Sequence, residues 1–286
     1  MNTMNRLLQE LVRDPEIITV MEGVRQGLKE QLVAGLSGSS RSLLIAALHA
    51  ELQRPIVVMT HNMFSAQKLI EDLEECLPPG ELLTYPANES IAMETAISSP
   101  ELIAQRISAL SKLSDNFRGV FVVPFAGIRR LVIPKEEFQK FKLSIAVGDT
   151  LAIEDFLQEL ARLGYERTEQ VEKQGEMSVR GGIVDVFPHV LEGVDNGLAL
   201  RIEWFDDEID SIRLFDPADQ RSKDKLQRVT VLPCRELVAD ERRFANAART
   251  ASELLEEQLA KTSDRSVKDK LRAEIGGELL RLGEKN

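Results

Sequence analysis

The segment Gly35–Leu–Ser–Gly38–Ser–Ser–Arg41–Ser42 holds residue types that could wrap a phosphate chain. Small residues let backbone N–H groups approach phosphate oxygens. A lysine then reaches the β/γ-phosphates, and a Ser/Thr hydroxyl holds Mg²⁺. Gly38 and Ser42 fit that chemistry, in a loop opened by Gly35. Ser40, however, stands where a glycine is needed just before the lysine, and Arg41 stands in place of the lysine itself. A planar guanidinium fork is not a compact ammonium, so the exchange is not conservative. No acidic Mg²⁺-holding motif ends a hydrophobic strand either, because the run from Val120 passes into Pro124–Phe125–Ala126. The loop reads as degenerate, a connector between strand and helix, and ATP hydrolysis is not expected.

Other catalytic chemistries find less support. The carboxylates Glu74, Glu75, Asp206, Asp207 and Glu208 lie in helix faces and an acidic turn, which are ordinarily solvated surface. No serine sits in a Gly-x-Ser-x-Gly elbow. His49, His61 and His189 are far apart, and no Cys/His cluster has zinc spacing. Cys76 and Cys234 are isolated thiols, which fits a reducing cytoplasm. No catalytic residue and no metal site are expected.

The stretch Gly175–Glu–Met–Ser–Val–Arg180–Gly–Gly–Ile–Val–Asp–Val–Phe187–Pro188 reads as a hairpin turning at Gly181–Gly182. Alternation puts Met177, Val179, Val184 and Val186 on one face. Glu176, Ser178, Arg180, Ile183, Asp185 and Phe187 take the other. If the valines face the core, Phe187 projects among polar neighbours. An aromatic beside an arginine is the composition of a protein–protein hot spot. The bland reading is that Phe187 plugs a small satellite core, and that Arg180 holds the glycine turn.

These segments need elements to position them. Gln31–Ala34 is a strand candidate leading into the glycine loop, and Leu43–Leu48 begins a helix. Pro55–Met59, Leu82–Tyr85 and Val120–Val123 are further strands. Helices lie between them, one capped by Asn62 and running to about Cys76, another started by Ser99–Pro100. Strands alternating with helices give an α/β domain with a mostly parallel sheet. Past Ile133–Pro134, Gly148–Thr150 caps a helix ending near Gly164. Short strands follow without intervening helices: Arg167–Val171, the hairpin, Leu200–Phe205, Ile209–Phe215 and Val229–Leu232. From about Asp240 the chain is helical again.

At 286 residues the chain exceeds one ordinary core, so two domains are expected, one interrupted by the other. The boundaries fall at 1–133 for the first α/β segment, 134–228 for a small α+β module, and 229–286 for a second, helical segment. Apolar and charged shares of 43% and 29% are those of a soluble globular protein. A net charge of −11 argues against a chain built to grip phosphate backbones, without excluding a local basic patch. There is no signal peptide and no apolar run long enough to span a membrane.

Three blocks, GLSGSSRS, GYERTEQVEKQGEMSVRGGIVDVFP and LRIEWFDDEIDSIRLFDP, together resemble one family. They look like the N-terminal region of the bacterial transcription-repair coupling factors (Mfd), which is itself similar to the first domains of the excinuclease subunit UvrB. The loop alone is a weak signal, whereas the two longer blocks in this order are specific. The resemblance implies a degenerate P-loop, helicase-like α/β domain in two segments, with a small α+β domain inserted between them. It implies that the insert binds the damage-recognition protein UvrA. By position, Arg167 in GYER, Arg180 in SVRGG and Phe187 in DVFP fall where family members contact UvrA.

The departures are informative. UvrB carries the glycine and lysine that Ser40 and Arg41 replace, so nucleotide binding is expected to be lost. UvrB also has a long aromatic-rich hairpin where this chain has only PANESIAMETAISS, so little or no DNA binding is expected. ATP, Mg²⁺, RNA polymerase and double-stranded DNA would belong to the motor and polymerase-binding domains of a longer protein. The reading is a non-catalytic, cytoplasmic bacterial adaptor that recruits UvrA in nucleotide excision repair. The alternative is an ATP-dependent UvrB-like helicase or damage-binding fragment in which Arg41 substitutes for lysine.

Overall fold

Three apolar runs bounded by Gly and Pro assemble into a parallel sheet. They are β1 (Ile56–Thr60), β2 (Leu82–Thr84) and β3 (Val120–Pro124), in the order β1-β3-β2. The run Pro55–Met59, expected as a buried strand, is instead an edge strand with Val57 and Met59 exposed on one face. The computed structural model describes residues 3–87, 99–129, 131–191, 194, 197–236 and 241–283. Val58 pairs with Val122, and Leu83 with Phe121. Helices α1 (Thr3–Leu11) and α2 (Pro15–Arg25) precede this sheet. Helices α3 (Ser40–Leu52) and α4 (Met63–Glu74) cover one face, packing Ala46, Ala66, Ile70 and Leu73 against Val120 and Val122. The other face carries Ala109 and Leu110 of α5 (Pro100–Ser114). The short helix α6 (Phe125–Ile128) follows β3, and α7 (Lys135–Gln139) adds Phe138 to the same layer as α5.

Two of the predicted caps form as expected. Asn62 Oδ1 accepts the Ser65 N–H at 2.8 Å, and Ser99 Oγ accepts that of Leu102 at 3.3 Å, with Pro100 in the first turn. The strand expected at Gln31–Ala34 is absent: these residues are irregular and exposed. Extended backbone becomes a strand only where a neighbour pairs its N–H and C=O groups. No described strand pairs with these residues, although the outer edge of β1 is open.

The second body is antiparallel except at one edge, where Glu166–Arg167 pairs in parallel with Glu176–Arg180. Its strands are β4 (Leu143–Ala146), β5 (Glu166–Arg167), β6 (Glu176–Arg180), β7 (Ile183–Phe187), β8 (Ala199–Phe205), β9 (Glu208–Phe215), β10 (Ser222–Leu226) and β11 (Arg228–Val231). Six of them form a sheet in the order β10-β9-β8-β7-β6-β5, and β4 pairs separately with β11. One face of the large sheet buries Met177, Val184, Val186, Leu200, Ile202 and Trp204 against Phe156 and Leu160 of helix α8 (Ile153–Arg162). The valine face of the hairpin is thus the core face.

Three expectations are corrected here. Helix α8 starts after Ala152, not at Gly148–Thr150. Asp149 Oδ2 accepts the Ala146 N–H at 2.7 Å and Thr150 bridges to Glu208, so that segment is a turn held against β9. The strand expected over Arg167–Val171 is only Glu166–Arg167, and β4 and β10 were not anticipated. The boundary at 228 falls within β11, whose Val229 and Val231 share the module's core with Cys234. Beyond it, α9 (Glu241–Lys261) and α10 (Arg265–Gly283) pack on each other.

Candidate functional site

Gly35 and Gly38 adopt φ +82° and +55°, conformations that glycine takes without strain. Ser40 Oγ donates to Ser37 O at 2.6 Å and closes the turn into α3. Ser42 is buried, and its hydroxyl donates to Asp72 Oδ2 at 2.9 Å. The hydroxyl's one hydrogen is thus committed to an acid on α4, which fixes the side chain and leaves its lone pairs free. Arg41 is exposed at the rim of a groove of about 440 Å³, shared with Gly38, Lys68 and Asp72. Among the described residues no group of three or more His, Cys, Asp or Glu side chains could hold a metal ion.

The non-core face of the six-stranded sheet is built around one carboxylate. Register places Ser178, Asp185, Arg201 and Arg213 side by side across β6, β7, β8 and β9. Asp185 is only 1% exposed. Arg201 grips it bidentately, Nε to Oδ1 at 2.7 Å and Nη2 to Oδ2 at 2.9 Å. Arg180 adds Nη2 to Oδ2 at 2.7 Å while its side chain stays 50% exposed. Arg201 also donates to Gln220 Oε1 at 2.9 Å and lies 4.3 Å over the Phe215 ring. Its hydrogen bonds to Asp185 hold the guanidinium pKa above its ordinary value, against the opposing effect of burial. One buried anion thus fixes two cations, one enclosed and one facing solvent.

Of the three docking residues implied by the resemblance, Arg180 and Phe187 share this face, but Phe187 does not project from it. It is 8% exposed and packs with Val171, Ala199 and Phe215 in a satellite cluster. The satellite-core reading of Phe187 holds, and the outward ring does not, because Ala199 and Phe215 on β8 and β9 supply an apolar patch on that face. Arg167 is exposed on the edge strand β5, in register with Met177, whose side chain belongs to the core face. Register therefore sets Arg167 on the opposite side from Arg180.

Asp185 and Arg201 were missed as site residues, although one residue type was a sufficient clue. An aspartate between two core valines on a buried strand needs a cationic partner. The glycine turn is as expected at Gly181, with φ +61°. At Gly182 the requirement is space: a Cβ there would lie 3.1 Å from Trp204 O. Most of the PANESIAMETAISS interval, residues 88–98, lies outside the described residues.

Comparison with known proteins adds a second line. Residues 143–237 match the family described as UvrB interaction domain, a span running from β4 to just past β11. The chain is 39% identical over 266 residues to the transcription-repair-coupling factor of Bacillus subtilis (strain 168), covering 93% of this chain and 22% of that protein. It is 34% identical over 249 residues to that of Staphylococcus aureus (strain Mu50), covering 86% and 20%. The chain therefore spans about a fifth of the length of the curated relatives it matches.

Proposed function

We propose that this chain, similar over most of its length to the transcription-repair-coupling factors and matching the UvrB interaction domain over residues 143–237, is an adaptor that recruits UvrA in nucleotide excision repair. The observation that carries the reading is the charged sheet face within the matched residues. There Arg180 is held by Asp185 yet half exposed, so a guanidinium is presented to a partner carboxylate at little ordering cost. Phe187 backs this face from its cluster, while Arg167, exposed on the neighbouring edge strand, would reach a partner only around that edge, from the other side of the sheet.

The rest of the chain has a supporting role. The α/β body is read as a degenerate P-loop, helicase-like domain in two segments, with the antiparallel module inserted between them. Ser40 and Arg41, in place of the glycine and lysine such a loop needs, support a body that binds no nucleotide and catalyses nothing. ATP, Mg²⁺, RNA polymerase and double-stranded DNA are assigned to other parts of a longer bacterial cytoplasmic protein. Among the described residues no helix is long and apolar enough to cross a membrane.

The experiment is an affinity measurement of this chain with purified UvrA, wild type beside Arg180→Ala. Binding by the wild type that falls at least about tenfold in the variant is expected, the loss of one charged contact. Absence of wild-type binding overturns the reading.

A further inference from the structure

Binding energy at an interface comes from side chains that lose water on docking. Phe187 has little left to lose at 8% exposure. Phe205 is 74% exposed. It ends β8, where Ile202 and Trp204 turn into the core and Arg201, Glu203 and Phe205 take the opposite face. That is the face of Arg180 and Asp185. We propose that Phe205 is the apolar anchor of the docking surface, acting beside Arg180 across the joined tips of the β6–β7 and β8–β9 hairpins. The proposal rests on the UvrA reading and assigns the aromatic role within it to a residue the resemblance does not name.

The two tips are fastened together. Trp204 N donates to Gly182 O at 2.8 Å, and the missing Cβ of Gly182 is what allows the Trp204 carbonyl so close. The acidic turn after Phe205 is tied down from the other side. Leu151 N donates to Asp207 O at 2.7 Å, and the Trp204 indole donates to Leu151 O at 2.8 Å. Asp206 takes φ +52°, a left-handed conformation that aspartate tolerates in such tight turns. Phe205 is thus exposed on backbone that is already ordered, so docking it forfeits little conformational freedom.

The geometry also states what the partner must offer. Arg180 calls for a carboxylate, and Phe205 for an apolar slot. Asp206, Asp207 and Glu208 next to the ring call for a basic group on the slot's far rim. A surface of mixed sign with an apolar centre suits a protein, whereas a nucleic-acid backbone would be repelled by the acidic turn.

The test measures affinity for purified cognate UvrA by calorimetry, using wild type, Phe205→Ala, Phe205→Leu, Phe187→Leu and Arg180→Ala. Phe205→Ala is expected to weaken binding by about 30-fold or more with an unchanged unfolding temperature. Phe205→Leu should recover part of that loss. Phe187→Leu should keep near wild-type affinity. Wild-type affinity in Phe205→Ala alongside lost affinity in Arg180→Ala overturns the anchor and leaves the docking reading standing. No binding by the wild type overturns both. If Phe205→Ala misfolds, Phe205→Gln keeps the bulk without the ring and is judged by the same outcomes.

Discussion

Arg106 of α5 and Glu236, just beyond β11, meet at 2.8 Å between Nη1 and Oε1. Arg106 is 1% exposed and lies 5.1 Å over the Tyr85 ring, whose hydroxyl donates to the same Glu236 at 2.7 Å. The residue closing the antiparallel module is therefore anchored in the parallel-sheet body by a buried cation and a phenol.

Removing one member of that pair should strand the other. Glu236→Ala is expected to cost about 3 kcal/mol, because it leaves a guanidinium buried without its counter-ion. Urea unfolding reads the loss. Exposed pairs such as Arg249–Glu253 should move by well under 1 kcal/mol when broken. Equal effects at the two sites would remove the anchoring role.

The two arginines on Asp185 should separate by experiment. Arg201→Ala breaks a bidentate pair with a nearly inaccessible carboxylate and uncovers Phe215, for an expected cost of about 3 kcal/mol. Arg180→Ala leaves that bidentate pair intact and should cost about 1 kcal/mol or less. Chemical denaturation of both variants gives the comparison. The opposite ranking would mean that Arg180, not Arg201, holds the sheet face together.

Restoring the consensus residues of the loop should not restore a nucleotide site. In Ser40→Gly/Arg41→Lys, Ser42 still donates to Asp72, and that carboxylate still faces the groove where phosphates would sit. Titration with ATP–Mg²⁺ is expected to give no saturable heat for either wild type or variant. Saturable binding by the wild type would favour the UvrB-like ATP-dependent alternative.

Alkali should weaken the antiparallel module first. Burial pushes the Cys234 thiol up to about 12 and raises Tyr165 well above its ordinary range. Both groups are neutral in the folded state, and unfolding lets them ionise near 9.0 and 10.0. Their stabilisation is fully present below those values and is lost as pH rises from about 9 towards 12. Urea midpoints followed by Trp204 fluorescence should fall from pH 9 upward. The native thiolate is scarce, so a thiol reagent at pH 8 should label the partly exposed Cys76 and spare Cys234.

Period and capping carried most of the fold. Val120–Val123 could only be a buried strand, and Asn62 and Ser99 only helix caps, because those signals are local. What escaped was decided by neighbours. Gln31–Ala34 has a strand's composition and no partner. Leu143–Ala146 has little of it, yet pairs with β11 because that strand passes alongside. At the site, alternation put Arg180 and Phe187 on the right face. It could not tell that Phe215, far along the chain, closes over Phe187, nor that Arg201 would claim Asp185.

The pairing of β4 with β11 sets Leu143 directly across from Val231. The chain thus comes into the module and goes out of it through adjacent positions, about 5 Å apart as in any antiparallel ladder. To the body that carries it, some ninety residues occupy the footprint of a single hairpin stem. Such a stem makes the module interchangeable: its outer loops and sheet face can be remodelled without moving the two points of attachment. A graft cut at this ladder would transplant the docking face whole.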